Sequence, residues 1–143
     1  MEKELTIRWT WLKVMYVYTI VVAGGFGVGI LVMPEVMKSM LGWPVDEPIA
    51  FGIIGSVYVA FGFLSVLGLW SPLKFVPVLL LQLCYKILWF VGVFFPLVLT
   101  AQYPDYGLAT VIIFASYIVG DLIAIPFPYI FGQRYDLTTQ HAH

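Results

Sequence analysis

The chain has 143 residues, of which 62% are hydrophobic and 10% charged, against roughly 45–50% and about 25% in a soluble domain, so a water-soluble fold is excluded. Eight acidic and seven basic residues give a net charge of -1, which supplies no basic field for nucleic-acid phosphates, and the composition is the reverse of a disordered chain. A single cysteine, Cys84, excludes a disulfide framework and a thiolate metal cage.

The gaps between charges mark four apolar runs, each long enough to supply the ~20 residues that cross a bilayer core. They lack the alternation of barrel strands, and backbone groups in hydrocarbon need internal hydrogen bonds. The predicted fold is therefore all-α: one polytopic membrane domain over residues 1–143, built as a four-transmembrane-helix bundle. The first span is predicted from about Val14 to Met33. Lys3, Arg8 and Lys13 precede it like a basic leader. The apolar stretch is too long for a signal peptide, however, and no small-x-small cleavage site precedes Pro34, so a retained helix is expected. Gly25 and Gly29 form a G-x-x-x-G pair within it.

Between Pro34 and Pro48, Val36, Met37, Met40 and Leu41 fall at helical spacing before Gly42. This predicts a short interfacial helix between spans one and two, with an irregular hydrophobic loop as the alternative. The second span is predicted over Ile49–Trp70, the third over Phe75–Leu99 and the fourth from Leu108 to about Ile130. Pro72 and Pro104 sit in short connections, whereas Pro96, Pro126 and Pro128 lie inside or near the ends of apolar runs, where local unwinding is expected. Trp9, Trp11, Trp43 and Trp70 fall near predicted interfaces, the usual place of amphipathic rings.

Small residues carry helix contacts in lipid because they let backbones approach. Gly52, Ser56 and Ala60 recur every fourth residue on the second span, and with Gly25 and Gly29 they are the predicted packing residues. Packing within the bundle is expected, and dimerisation of chains is the alternative. The N-terminal tail, second loop and C-terminal tail hold Lys3, Arg8, Lys13, Lys74 and Arg134, against Lys38 alone in the other loops. The positive-inside rule then places both termini in the cytoplasm and Glu35, Asp46, Glu47 and Asp105 on the outer face.

Lys86 and Asp121 interrupt the third and fourth spans, where an isolated charge costs at least ~2.5–3.5 kcal/mol. Each lies thirteen residues from the same outer turn, counted from Leu99 and Leu108, so an antiparallel hairpin brings them to one depth. Gln82, Tyr85, Lys86 and Trp89 share a helix face, and Tyr117 lies one turn before Asp121. Three readings stay open: an ion pair that fixes helix docking, a polar focus within a ligand cavity or proton path, and an uncharged amine–acid pair. No catalytic residue and no metal set is predicted. His141 and His143 lie in the polar tail, Cys84 reads as a small buried apolar residue, and Gly25–Gly29 lacks the Lys-Ser/Thr of a phosphate loop.

The order of elements is that of a known group: a glycine-rich first helix ending at Pro34, the segment Pro34-Glu35-Val36-Met37-Lys38-Ser39-Met40-Leu41-Gly42-Trp43, then Gly55 and Ala60-Phe61-Gly62, and the turn Trp70-Ser71-Pro72-Leu73-Lys74. Over most of its length the chain resembles the DoxX-like group of small bacterial four-helix membrane proteins. Some of that group are similar to subunits accompanying quinone-linked sulfur oxidation, and others act as maturation or cargo factors. The resemblance implies an inner (cytoplasmic) membrane location. The chemistry of thiol-redox members does not carry over, because this chain has no cysteine pair. The expected function is binding of a small amphiphilic ligand, a quinone or lipid, near Lys86 and Asp121. No other cofactor is expected; the partners expected are membrane lipids, a homo-oligomer or another membrane protein. A structural or accessory subunit and an oligomeric proton-coupled transporter are the alternatives. An enzyme would need a second acid or base and a nucleophile at that depth, for which only Gln82, Tyr85 and Tyr117 are candidates.

Overall fold

A computed structural model describes residues 6–132. Lys3, Arg134, His141 and His143, which enter the charge count and the tail assignments, lie outside the described residues. All regular secondary structure among the described residues is helical, without a strand. Four helices are long and apolar enough to cross a membrane. They are α1 (Trp9–Val32), α3 (Pro48–Trp70), α4 (Val76–Leu99) and α5 (Leu108–Ala124), the last entered through the 3-10 turn Asp105–Gly107. Two short helices complete the set, α2 (Pro34–Leu41) between the first two spans and α6 (Phe127–Gly132) after the fourth.

The boundaries follow from local chemistry. Helix α1 starts at Trp9, five residues before the predicted position, because Lys13 is exposed and its long stem can lie along apolar surface while the charge points outward. The predicted helix before Gly42 is present as α2. Pro34 opens it, and Gly42 closes it in the left-handed conformation at φ 64° while Trp43 N donates to Lys38 O at 2.9 Å, the bond pattern of a glycine-terminated helix. Lys38 clasps Glu35 and Asp46 beside it. Glu47 caps α3 by accepting from Ile49 N at 3.0 Å and Ala50 N at 2.6 Å, with Pro48 at the first helical position.

Helix α4 passes Pro96 without a break, because the wider π turn Phe90–Phe94 immediately precedes it and loosens the ladder where the proline amide is missing. The fourth span does not reach Ile130. It ends at Ala124, because Pro126 forces Ile125 into extended backbone at φ -71°, ψ 123°, as expected of a residue before proline.

Helix α1 packs along α3 and, through its first half, on α5, while α4 packs on α5. The α1–α3 contact is made by glycines, though not by the predicted stripe. A methyl added to Gly27 would lie 2.6 Å from Val59 N, and one added to Gly62 would lie 2.8 Å from Gly24 Cα. These two helices therefore touch backbone to backbone. By contrast, Ser56 and Ala60 are exposed, and nothing lies near a methyl added to Gly52 or Gly25. Gly29 does pack, but against the Met37 side chain of α2. Two apolar clusters fill the interior. The larger joins Leu12, Tyr16, Leu79, Leu83 and Tyr117, and the smaller joins Ile30, Met37 and Phe51 beneath α2.

Candidate functional site: a buried amine and a buried carboxylate

Five buried polar side chains are drawn from all four spans: Thr19, Ser65, Gln82, Lys86 and Asp121. Burying such groups is costly unless each finds a partner, so the partners decide what the centre can do. Thr19 Oγ1 donates back to Met15 O at 2.8 Å, which satisfies a hydroxyl inside a helix. Gln82 Nε2 reaches the same Thr19 oxygen at 3.3 Å and ties α4 to α1. Tyr16, fully buried, donates to Pro72 O at 2.6 Å and pins α1 to the turn between α3 and α4.

Lys86 is 2% exposed. Its ammonium donates to Tyr85 Oη at 2.8 Å and lies 4.2 Å from the Tyr85 ring centre, 4.1 Å from that of Tyr117 and 5.2 Å from that of Phe114. Aromatic faces attract a cation through their quadrupoles, and the attraction grows when water is absent. The amine thus sits in a box made by its own neighbour and two rings of α5. Trp89 extends this box, with its ring edge-on to Phe114 at 5.0 Å and stacked near Phe94.

Asp121 is 0% exposed. Among the described residues neither of its carboxylate oxygens has a hydrogen-bond partner, and both ion pairs belong to Lys38. The Lys86–Asp121 ion pair, one of the three readings, is therefore not made. Ending α5 at Ala124 puts Asp121 in the last turn of its helix, not near the middle of a longer span. Lys86, ten residues into α4, stops at the Tyr117 ring one turn away.

The structure thus gathers Gln82, Tyr85, Lys86, Trp89, Tyr117 and Asp121 on the inner faces of α4 and α5, as their spacing implies, while leaving amine and carboxylate unjoined. The residues missing from the predicted set are Thr19, Tyr16, Ser65 and Phe114. Phe114 was legible, because it lies three residues before Tyr117 and seven before Asp121, on one stripe. Thr19 and Tyr16 belong to α1, and no spacing within α4 or α5 could announce them. Cys84 is exposed on the outside of α4, not buried as expected. Among the described residues no cluster of three or more His, Cys, Asp or Glu is placed to hold a metal. Comparison with family models, with curated proteins and with solved structures finds no match to this chain.

Proposed function

We propose that the bundle binds a small amphiphilic ligand, of the quinone or lipid class, whose polar end sits between Lys86 and Asp121. The observation that carries this reading is the carboxylate of Asp121, wholly buried and without a partner among the described residues. A lone carboxylate in hydrocarbon is costly, and a ligand hydroxyl or amine would supply the missing donor. Lys86 spends one N–H on Tyr85 and keeps others for a ligand oxygen, while Trp89, Phe114 and Tyr117 wall the site with aromatic rings. A quinol presents both a donor and an acceptor, which suits the pair. The resemblance to DoxX-like proteins supports an inner-membrane setting and an accessory role beside quinone-linked chemistry.

Native mass spectrometry of the purified chain, before and after titration with a short-chain quinol, tests this. One small molecule per chain is expected in the wild type and its loss in Asp121→Leu, with thermal unfolding showing that the variant is folded. A wild type that carries and takes up nothing overturns the proposal.

A second reading has its own observation. Gly52, Ser56 and Ala60 lie on the outer face of α3, where a helix of another subunit could approach closely. That arrangement suits an accessory subunit or homo-oligomer.

A further inference from the structure

The outer face of α1 carries a groove of about 610 Å³, lined by Trp9, Lys13, Val14, Val17, Tyr18 and Val21. Its lining shares no residue with the interior centre just described, which it adjoins where Tyr18 packs on the Tyr117 ring at 4.6 Å. At 1.5 Å per residue the stretch from Trp9 to Val21 covers about 18 Å, close to one leaflet of a hydrocarbon core ~30 Å thick. Its floor is apolar, and its one charge, Lys13, stands four residues from the helix start beside Trp9.

Among the described residues the charges around it are of one sign. Arg8 reaches Ile123 O at the end of α5, and Tyr16 reaches the turn after α3, so the start of α1, the turn holding Lys74 and the end of α5 form one end of the bundle. Among the described residues this end carries Arg8, Lys13 and Lys74 and no exposed carboxylate. Glu35, Asp46, Glu47 and Asp105 all belong to the connections at the opposite end. A second copy of the chain is a poor occupant, because two-fold pairing through this face in a common membrane orientation would set Lys13 against Lys13.

We propose that the groove seats one anionic phospholipid, with its phosphate at Lys13 and Trp9 and an acyl chain along Val14, Val17 and Val21. A basic side chain beside an anionic headgroup contributes about 1 kcal/mol, or roughly fivefold in affinity. The valines accept the chain without regard to headgroup, so they set affinity and Lys13 sets preference.

The full chain in detergent can be titrated by native mass spectrometry with phosphatidylglycerol, with phosphatidylcholine of the same acyl chains, and with inorganic phosphate. Phosphatidylglycerol should bind roughly fivefold more tightly than phosphatidylcholine. Lys13→Gln should erase the difference and Lys13→Arg should keep it. Lys74→Gln, at the same end but outside the groove, should leave it intact. Val17→Trp should fill the groove and weaken both lipids. Equal binding of the two lipids, or equal losses in Lys13→Gln and Lys74→Gln, overturns the proposal. So does displacement of the lipid by inorganic phosphate, or a chain dimer that Val17→Trp dissociates.

Discussion

Two residues are held in places their chemistry does not favour, and each yields a measurable expectation. Ala101 ends α4 at φ 54° with Gln102 N bonded to Leu97 O, a left-handed position that costs an L-residue roughly 1–2 kcal/mol and glycine almost nothing. Ala101→Gly should therefore raise the unfolding midpoint in detergent, by an amount corresponding to about 1 kcal/mol. Asp121 is the second. With no ligand bound, replacing its unpartnered carboxylate by Leu should stabilise the protein, by about 1–3 kcal/mol if the desolvation penalty of a buried orphan is recovered. Thermal unfolding of ligand-free Asp121→Leu beside Asp121→Asn checks this, and a destabilised Leu variant would mean that the carboxylate is already well paired. Lys38 lies outside the spans, and its pKa is held above the ordinary lysine range by Asp46 first and Glu35 second. A group raised in this way gives its full contribution below its unfolded pKa and loses it as pH climbs through the folded one. On the amine side the clasp on α2 is therefore indifferent to pH near neutrality and opens under strongly alkaline conditions. At this scale the sequence exposed the charges and hid their partners. Lys86 and Asp121 were legible as interruptions of apolar runs, but whether the amine meets a carboxylate or three rings depends on rotamers and helix ends that no spacing encodes.

Among the elements, the α1–α3 contact is the most sensitive to small changes. Gly62→Ala would drive a methyl onto the backbone of Gly24, and neither backbone can yield without parting the helices. Overpacking of this kind costs about 1–3 kcal/mol. Ser56→Leu, which points away from the bundle, should leave the stability of the isolated chain nearly unchanged. Thermal unfolding of the two variants side by side separates the face that holds the bundle from the face that is free. The two are hard to tell apart by eye in the sequence. Gly52, Ser56 and Ala60 make a cleaner four-residue repeat than Gly55 and Gly62, yet every helix in lipid is apolar all round, and periodicity then carries no signal about which side faces in. Glu47 offers a second test. It satisfies two amides at the start of α3, and Glu47→Ala should cost about 1 kcal/mol by the same measurement. The interfacial helix α2, in contrast, was readable in full, because it is amphipathic and ends in a glycine.

For the whole molecule, the legible property was architecture. Four apolar runs and their prolines give four long helices and one interfacial helix, with the first boundary set five residues late at Lys13 and the last misplaced because Pro126 stops a run whose hydropathy continues. The charge on the two ends is equally plain, and it supports an orientation with the basic end in the cytoplasm. With Cys84→Ala as background, an impermeant thiol reagent on intact spheroplasts should label Asp105→Cys and spare Lys74→Cys; the opposite pattern reverses the protein in the membrane. The π turn of α4 bears on how such a chain can change length. Phe90–Phe94 holds one residue more than an α-helical turn needs, so deleting Val91 should close the turn to ordinary α-helix while the halves on either side keep their facing. Deleting Leu80 instead would swing everything beyond it by roughly 100°, at 3.6 residues per turn, and carry Lys86 off its aromatic box. Helix α4 has a built-in place where the gene can lose a codon without turning the buried amine out of the bundle.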